Sequence, residues 1–419
     1  MNNFSAPELL RSLFDRAVEV ADPMRSLARH LPPLPDKRVL VIGAGKASAR
    51  MAEAVEALWG PCEGLVITRY GYARPCQGIE IVEAAHPVPD RSGLEATTRM
   101  LKLVQGLGED DFVLALISGG ASALLTAPVA GVSLQDKQMV NAALLASGAP
   151  IDRINTVRKH LSAVKGGQLA AVAYPARMLT LMISDVPGDD PALIGSGPTV
   201  GEATTPQDAL RILHDWKITP PDSVMHALRN GSQVISPADP RMSRVENIIY
   251  AAPAQSLAAA AELARGQGLD VRRLGDAVEG DARQVAIEQA AEALRIKAEQ
   301  KQGDPPVLLL SGGELTVTKT GNGIGGPNAE FCLALAIALK GAEGIHAIAC
   351  DTDGVDGAAE IAGAIIGPST LDKAKALGLV AAEHLANNDA HSFFAAIKDQ
   401  VVTGPTLTNV NDFRAILIG

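Results

Sequence analysis

The sequence predicts an α/β protein of two domains, and three observations carry that expectation. The chain has 419 residues, more than a single core organises well. Short apolar runs such as "RVLVIG", "FVLALIS" and "MLTLMIS" alternate with longer amphipathic stretches. Runs of that kind, set between helices, mark parallel strands buried on both faces. Glycine turns follow several of these runs, as in a doubly wound sheet whose strands feed helices through tight loops.

In chain order, residues 7–30 read as an amphipathic helix ended by "LPPLPDK". "RVLVIG" is a strand and 46–59 a helix; "GLVIT" is a strand and "RSGLEATTRMLKLVQGL" a helix. "FVLALIS" is a strand that leads through a glycine loop to a helix over 134–147, and "MLTLMIS" is a further strand. This first set predicts a Rossmann-like parallel sheet. Residues 217–246 are polar and Pro-rich and break the rhythm, so the boundary is placed there: 1–236 for the N-terminal domain and 237–419 for the C-terminal one. The second set runs "NIIYAA" (strand), 253–267 (helix), "LDVRRLG" (strand), 280–301 (helix), "PVLLLSGGE", "LTVTK", 327–340 (helix), "IHAIACDTDG" and a last strand "DFRAILIG".

Composition narrows the function. Aromatic residues are only 3%, too few for base-stacking platforms, and the net charge of −10 disfavours general nucleic-acid binding, which rests on neutralising phosphates. A local basic pocket for a small anion is compatible with that charge. The four cysteines are scattered and form no CxxC or zinc spacing. The N-terminus has acidic residues and helical periodicity rather than a leader pattern, and no segment approaches 18 uninterrupted apolar residues. The expectation is a soluble cytoplasmic protein without a membrane or nucleic-acid partner.

Four polar loops stand at predicted strand ends, where ligands of open α/β sheets bind. "VIGAGK" ends a strand in Gly43, Gly45 and Lys46. A lysine at a helix start opposes the macrodipole unless an anion sits there, so Lys46 is a candidate for a transferring phosphoryl group. Ser118, Gly119, Gly120 and Ser122 follow "FVLALI", and Ser311, Gly312 and Gly313 follow "PVLLL"; both could offer amides and hydroxyls to ATP phosphates, or be no more than capped turns. "SDVPGDD" supplies Asp185, Asp189 and Asp190, and "CDTDGVDG" supplies Asp351, Asp353 and Asp356. Asp185, Asp189 and Asp353 are the metal candidates, since kinases hold Mg²⁺ with one or two carboxylates plus phosphate oxygens. Both acidic stretches are also good turn chemistry. In "NTVRKHLSAVKGG", Arg158, Ser162 and Lys165 share a helix face suited to a carboxylate or phosphoryl group. His160 and His86 read as structural.

Three rival activities meet obstacles. A dehydrogenase fingerprint has Ser48 at its third glycine place and no acidic residue after "GLVITRYG", although Arg69 would suit a 2′-phosphate. An aspartyl-phosphatase reading of "IHAIACDTDGV" leaves too short a remainder for that enzyme's later motifs. A nucleotide sensor explains glycine loops but not acidic clusters facing a basic helix.

The motifs "VIGAGKAS", "HPVPD", "SGGASALL", "NTVRKHLSAVKGG", "SDVPGDDPALIGSGPT", "SGGELTVT", "GIGGPNAEF", "DTDGVDGAAEIAGA", "NNDAHSFF" and "TGPTLTNVNDFRAIL" stand in this order along nearly the whole chain. Together they resemble the glycerate 2-kinase family, whose C-terminal part is the MOFRL domain. The resemblance implies transfer of a phosphoryl group from ATP, with Mg²⁺, to D-glycerate, giving 2-phosphoglycerate. It also implies a Rossmann-like N-terminal domain, a mixed α/β MOFRL-type domain and an interdomain cleft. A homodimer is one assembly open to this chain, and the sequence does not fix the oligomeric state. On this pattern Lys46 resembles the essential lysine, and the "SDVPGDD" aspartates resemble acid/base or metal residues. Asp189 would orient the C2 hydroxyl, and Arg158 with Lys165 would hold the carboxylate. Some relatives carry an older label as NAD(P)H-dependent hydroxypyruvate reductases, which is the alternative activity. One departure stands out: many relatives have Gly-Gly-Arg-Asn-Gln-Glu where this chain has Pro327 in place of the arginine. Pro327 suits the first position of a helix.

Overall fold

The computed structural model describes residues 5–231, 233–357 and 359–419. The chain divides into two compact units, Pro23–Tyr250 and a second that joins the segment ending at Asp22 to Ala251–Gly419.

In the first unit the strands are β1 (Val39–Ala44), β2 (Glu63–Arg69), β3 (Ile79–Ala84), β4 (Phe112–Ile117), β5 (Arg177–Ile183) and β6 (Val245–Ala251), whose last residue already belongs to the second unit. They lie in the order β3-β2-β1-β4-β5-β6, and β1 to β5 pair in parallel. This is the strand order of doubly wound nucleotide-binding sheets. The central strands are apolar on both faces because helices cover both: Leu40, Ile42, Val113, Ala115 and Ile117 are fully buried. Each buried Leu or Ile contributes roughly 1.5–3 kcal/mol relative to exposure.

The second unit adds β7 (Asp270–Gly275), β8 (Gly280–Asp281), β9 (Val307–Gly313), β10 (Leu315–Thr316), β11 (Ile345–Asp351), β12 (Gly363–Ile366), β13 (Gln400–Val401) and β14 (Asp412–Ile418). Its main sheet runs β13-β12-β11-β14-β9-β7, antiparallel except for the parallel β7–β9 pair. The helix Pro327–Leu339 is buried on almost every side, with Phe331, Leu333 and Leu335 fully enclosed, as its all-apolar sequence requires. Pro327 stands at the start of that helix, as expected.

The domain limits differ from the sequence reading at 236. Residues 217–246 hold the helix Asp222–Arg229, whose Val224 and Leu228 join the first unit's core, and β6 then borders β5. The polar, Pro-rich stretch belongs to the first unit, and the two units divide after Tyr250. The expected helix 7–30 breaks at Asp22, before Pro23, into Ala6–Ala21 and two short turns, Pro23–Ser26 and Leu27–Arg29. Its Leu10, Leu13 and Phe14 pack with Leu257, Leu310 and Phe413 of the second unit's core.

Candidate active site

The order of the first sheet reverses between β1 and β4, so the chain segments leaving those two strands lie side by side. Gly45 leaves β1 with φ +141°, and a Cβ there would fall 2.0 Å from Ser118 Oγ, so only glycine fits. The Lys46 amide donates to the Gly119 carbonyl at 2.9 Å, which ties the lysine loop to the loop after β4. Gly120 has φ +84°, and its open side faces the His86 ring and the Lys46 stem: a Cβ would come within 3.1 Å of His86 Cδ2 and 3.3 Å of Lys46 Cγ. Lys46, His86 and Gly120 therefore converge at the switch point, where ligands of such sheets bind.

Farther along the same segment, Ser122 Oγ lies 2.6 Å from Ser196 Oγ, and Ser196 is 3.5 Å from Asn155 Oδ1. Asn155 also accepts from Arg158 Nη1 at 3.5 Å, and Arg158 Nε donates to Asn141 Oδ1 at 2.5 Å. Lys165, 1% exposed, donates from Nζ to the Leu125 carbonyl at 2.9 Å. A third cation, Lys137, is 8% exposed, and its Nζ has no hydrogen-bond partner among the described residues. Among the described residues none of these three cations pairs with a carboxylate. Burial, with Arg158 nearby, lowers the Lys137 ammonium to about 7. Burial, with Lys137 and Arg158 nearby, holds Lys165 well below the ordinary lysine range. Two buried lysines and a half-buried arginine, with no carboxylate paired to them among the described residues, make an arrangement that suits an oxyanion. By contrast, neighbouring Lys159 is neutralised by Glu202 at 2.5 Å, and His160 bonds Thr204, both structural.

Asp189 sits in the loop after β5 with φ 52°, and its Oδ1 is buried without a hydrogen-bond partner among the described residues. Asp190 is spent on its own turn, accepting from the Ala192 amide. Among the described residues no group of three or more His, Cys, Asp or Glu side chains is gathered as for a metal ion. The orphaned Asp189 oxygen nevertheless fits a cation or a proton in need of an acceptor, and Mg²⁺ in kinases asks for only one or two carboxylates.

Several expected site residues have structural work instead. Gly43 lies inside β1, where a Cβ would meet the Leu116 carbonyl oxygen at 2.4 Å; it permits close strand packing and is not part of the turn. Ser118 is fully buried, and its Oγ accepts from the Ala47 amide at 3.0 Å and lies 3.2 Å from Ser48 Oγ. It fastens the lysine loop and has no hydroxyl to offer a phosphate. Ser311, Gly312 and Gly313 end β9 within the sheet rather than in a loop. The carbonyls of Gly312 and Gly313 accept from the buried Arg414 guanidinium, which also pairs with Asp412 at 2.9 Å. Asp353 is fully buried, with Oδ1 accepting from the Val355 amide. Asp356 caps the helix Pro327–Leu339, accepting from the amides of Asn328 at 2.9 Å and Ala329 at 2.8 Å, with His391 Nε2 at 3.2 Å. The second acidic stretch is thus a set of turns and a helix cap, and these residues belong to the second unit, whereas Lys46, Arg158, Lys165 and Asp189 belong to the first.

Sequence reasoning missed Lys137. A signal for Lys137 existed: on the helix Leu134–Ala146 it shares a face with buried Val140 and Leu144 at i+3 and i+7, a place where an unpaired lysine is out of character. His86 carried no such signal, because its position against Gly120 is set by the fold.

Two family models match the chain: a domain of unknown function, DUF4147, over residues 9–229, and the MOFRL family over residues 307–412. The D-glycerate 2-kinase of Thermotoga maritima is 38% identical, over 98% of this chain and 99% of its own length. A protein of Agrobacterium vitis provisionally named hydroxypyruvate reductase is 50% identical, over 100% of this chain and 96% of its own. Among solved structures, a crystal structure of glycerate kinase from Thermotoga maritima superposes with a TM-score of 0.88 at 37% identity, covering 99% of both chains.

Proposed function

This chain belongs to the glycerate 2-kinase family, and on that premise we propose that it transfers the γ-phosphoryl group of ATP to D-glycerate, giving 2-phosphoglycerate and ADP. The observation that carries the reading is the cation group around Arg158, which has no paired carboxylate among the described residues and sits in the same unit as Lys46. A kinase acting on a small carboxylic acid needs that: one receptor for the acceptor's carboxylate and another cation for the moving phosphoryl group.

The division of labour follows from position. Arg158 and Lys165 hold the glycerate carboxylate, Arg158 through its planar fork. Lys46, beside Gly120 at the switch point, stabilises charge on the transferring group. Asp189 accepts the C2 hydroxyl proton with its unpartnered oxygen. Asp185, four residues earlier, would hold Mg²⁺ with Asp189, and the ion when bound neutralises charge on the phosphates. Catalysis on this plan is mostly orientation and charge stabilisation.

An NADH-dependent reductase would instead need an acid at the end of β2 to grip the cofactor's ribose, where this chain has Thr68-Arg69-Tyr70; Arg69 suits only the 2′-phosphate of NADPH. The two activities separate in parallel assays. We expect ADP release that depends on both D-glycerate and Mg²⁺, and no oxidation of NADH or NADPH by hydroxypyruvate. Fast reduction without ADP release would refute the kinase reading.

A further inference from the structure

We propose that Lys137 is a third substrate-binding cation, which closes the oxyanion receptor of Arg158 and Lys165 around the glycerate carboxylate. The inference rests on the kinase reading above and adds to it a residue that the motif pattern does not mark.

Three observations support it. The Lys137 ammonium is enclosed in the protein and has no hydrogen-bond acceptor among the described residues, a costly state for a group with three donors. Asn141, one helical turn further on, accepts from Arg158 Nε at 2.5 Å, so the lysine's own helix meets the arginine. Lys165, from the segment after the Arg158 helix, adds a second buried lysine, whose Nζ bonds the Leu125 carbonyl and no carboxylate among the described residues. A lysine placed for stability would have a carboxylate, as Lys159 has in Glu202. An unpaired lysine beside two other unpaired cations lowers stability, and what offsets that cost is an anion that arrives from solution. The lowering of Lys137 to about 7 agrees with this: in the free protein the position suffers from its charge, and a bound carboxylate would restore it.

The receptor's two possible oxyanions, an acceptor carboxylate and a nucleotide phosphate, are distinguished by separate titrations of the full-length chain. Lys137→Met keeps the apolar stem and removes the ammonium, and Lys137→Gln serves as a second variant. Thermal shift and equilibrium binding are measured with D-glycerate alone and with ATP alone. We expect the ligand-free melting temperature of Lys137→Met to equal or exceed that of the wild type. We expect affinity for D-glycerate to fall on the order of 30-fold or more and affinity for ATP to hold within about twofold. Unchanged D-glycerate binding in both variants would overturn the proposal, as would failure of both to fold, which would make the lysine structural. Loss confined to ATP would give the receptor to the nucleotide and overturn the carboxylate assignment. A wild-type chain that binds no D-glycerate would instead refute the kinase reading itself.

Discussion

Lys46 and Arg158 are both cations of the first unit, yet their surroundings differ. Lys46 is half-buried at a strand end next to glycines, whereas Arg158 is held by two asparagine oxygens. The first arrangement suits a charge that develops during reaction, the second a charge already present on the substrate. Lys46→Met should therefore lower kcat by about 10²–10³, as removal of one preorganised donor does. Arg158→Ala should mainly raise the KM for D-glycerate, by about 2–5 kcal/mol of lost binding, with a smaller effect on the KM for ATP. Steady-state kinetics on the two variants checks the split; equal effects on both KM values would move Arg158 to the phosphates. The buried lysines also make stability depend on pH. The folded value of Lys137 is lowered from 10.5 to about 7, so between these values the unfolded chain holds a proton that the folded chain does not. Stability of the ligand-free protein should rise as pH climbs through that window and be lower below it; Lys165, lowered in the same direction, adds to the trend. Melting curves from pH 7 to 9 test this, and Lys137→Met should flatten the rise.

At the scale of elements, two loops of similar sequence turned out to do different work. "SGG" after β4 leaves the strand and turns at Gly120, whereas "SGG" at 311–313 continues β9 and is paired with β14 down to Asp412. Nothing in three residues distinguishes them; the partner strand decides. The "DTDGVD" stretch was legible as turn chemistry but not as a helix cap, because Asp356 reaches a helix that begins 29 residues earlier at Pro327. Local reading finds caps just before a helix and misses those supplied from a distance. The cap has a measurable consequence. Asp356→Ala removes the acceptor for two buried amides and should destabilise the second unit by at least about 1–3 kcal/mol. Urea unfolding would register that loss, and an unchanged midpoint would mean the amides find other acceptors.

For the molecule as a whole, the alternation of apolar runs and helices was enough to expect two α/β units, because strands buried on both faces leave a simple trace. The limits of those units were not legible: Leu10, Leu13 and Phe14 join a core formed mainly by residues after 250, a packing that only three dimensions reveal. The same holds for the site. Lys46, Arg158, Lys165 and Asp189 lie in recognisable motifs, while Lys137 lies in none and is marked only by the apolar face it shares with Val140 and Leu144. The reaction on which all of this turns is the passage of one phosphoryl group from ATP to the C2 oxygen of D-glycerate. Phosphorus NMR of the products tests it most directly. We predict that the resonances of ADP and 2-phosphoglycerate grow together in equal amounts as those of ATP decline; growth of 3-phosphoglycerate in its place, or of free phosphate alone, would contradict the claim.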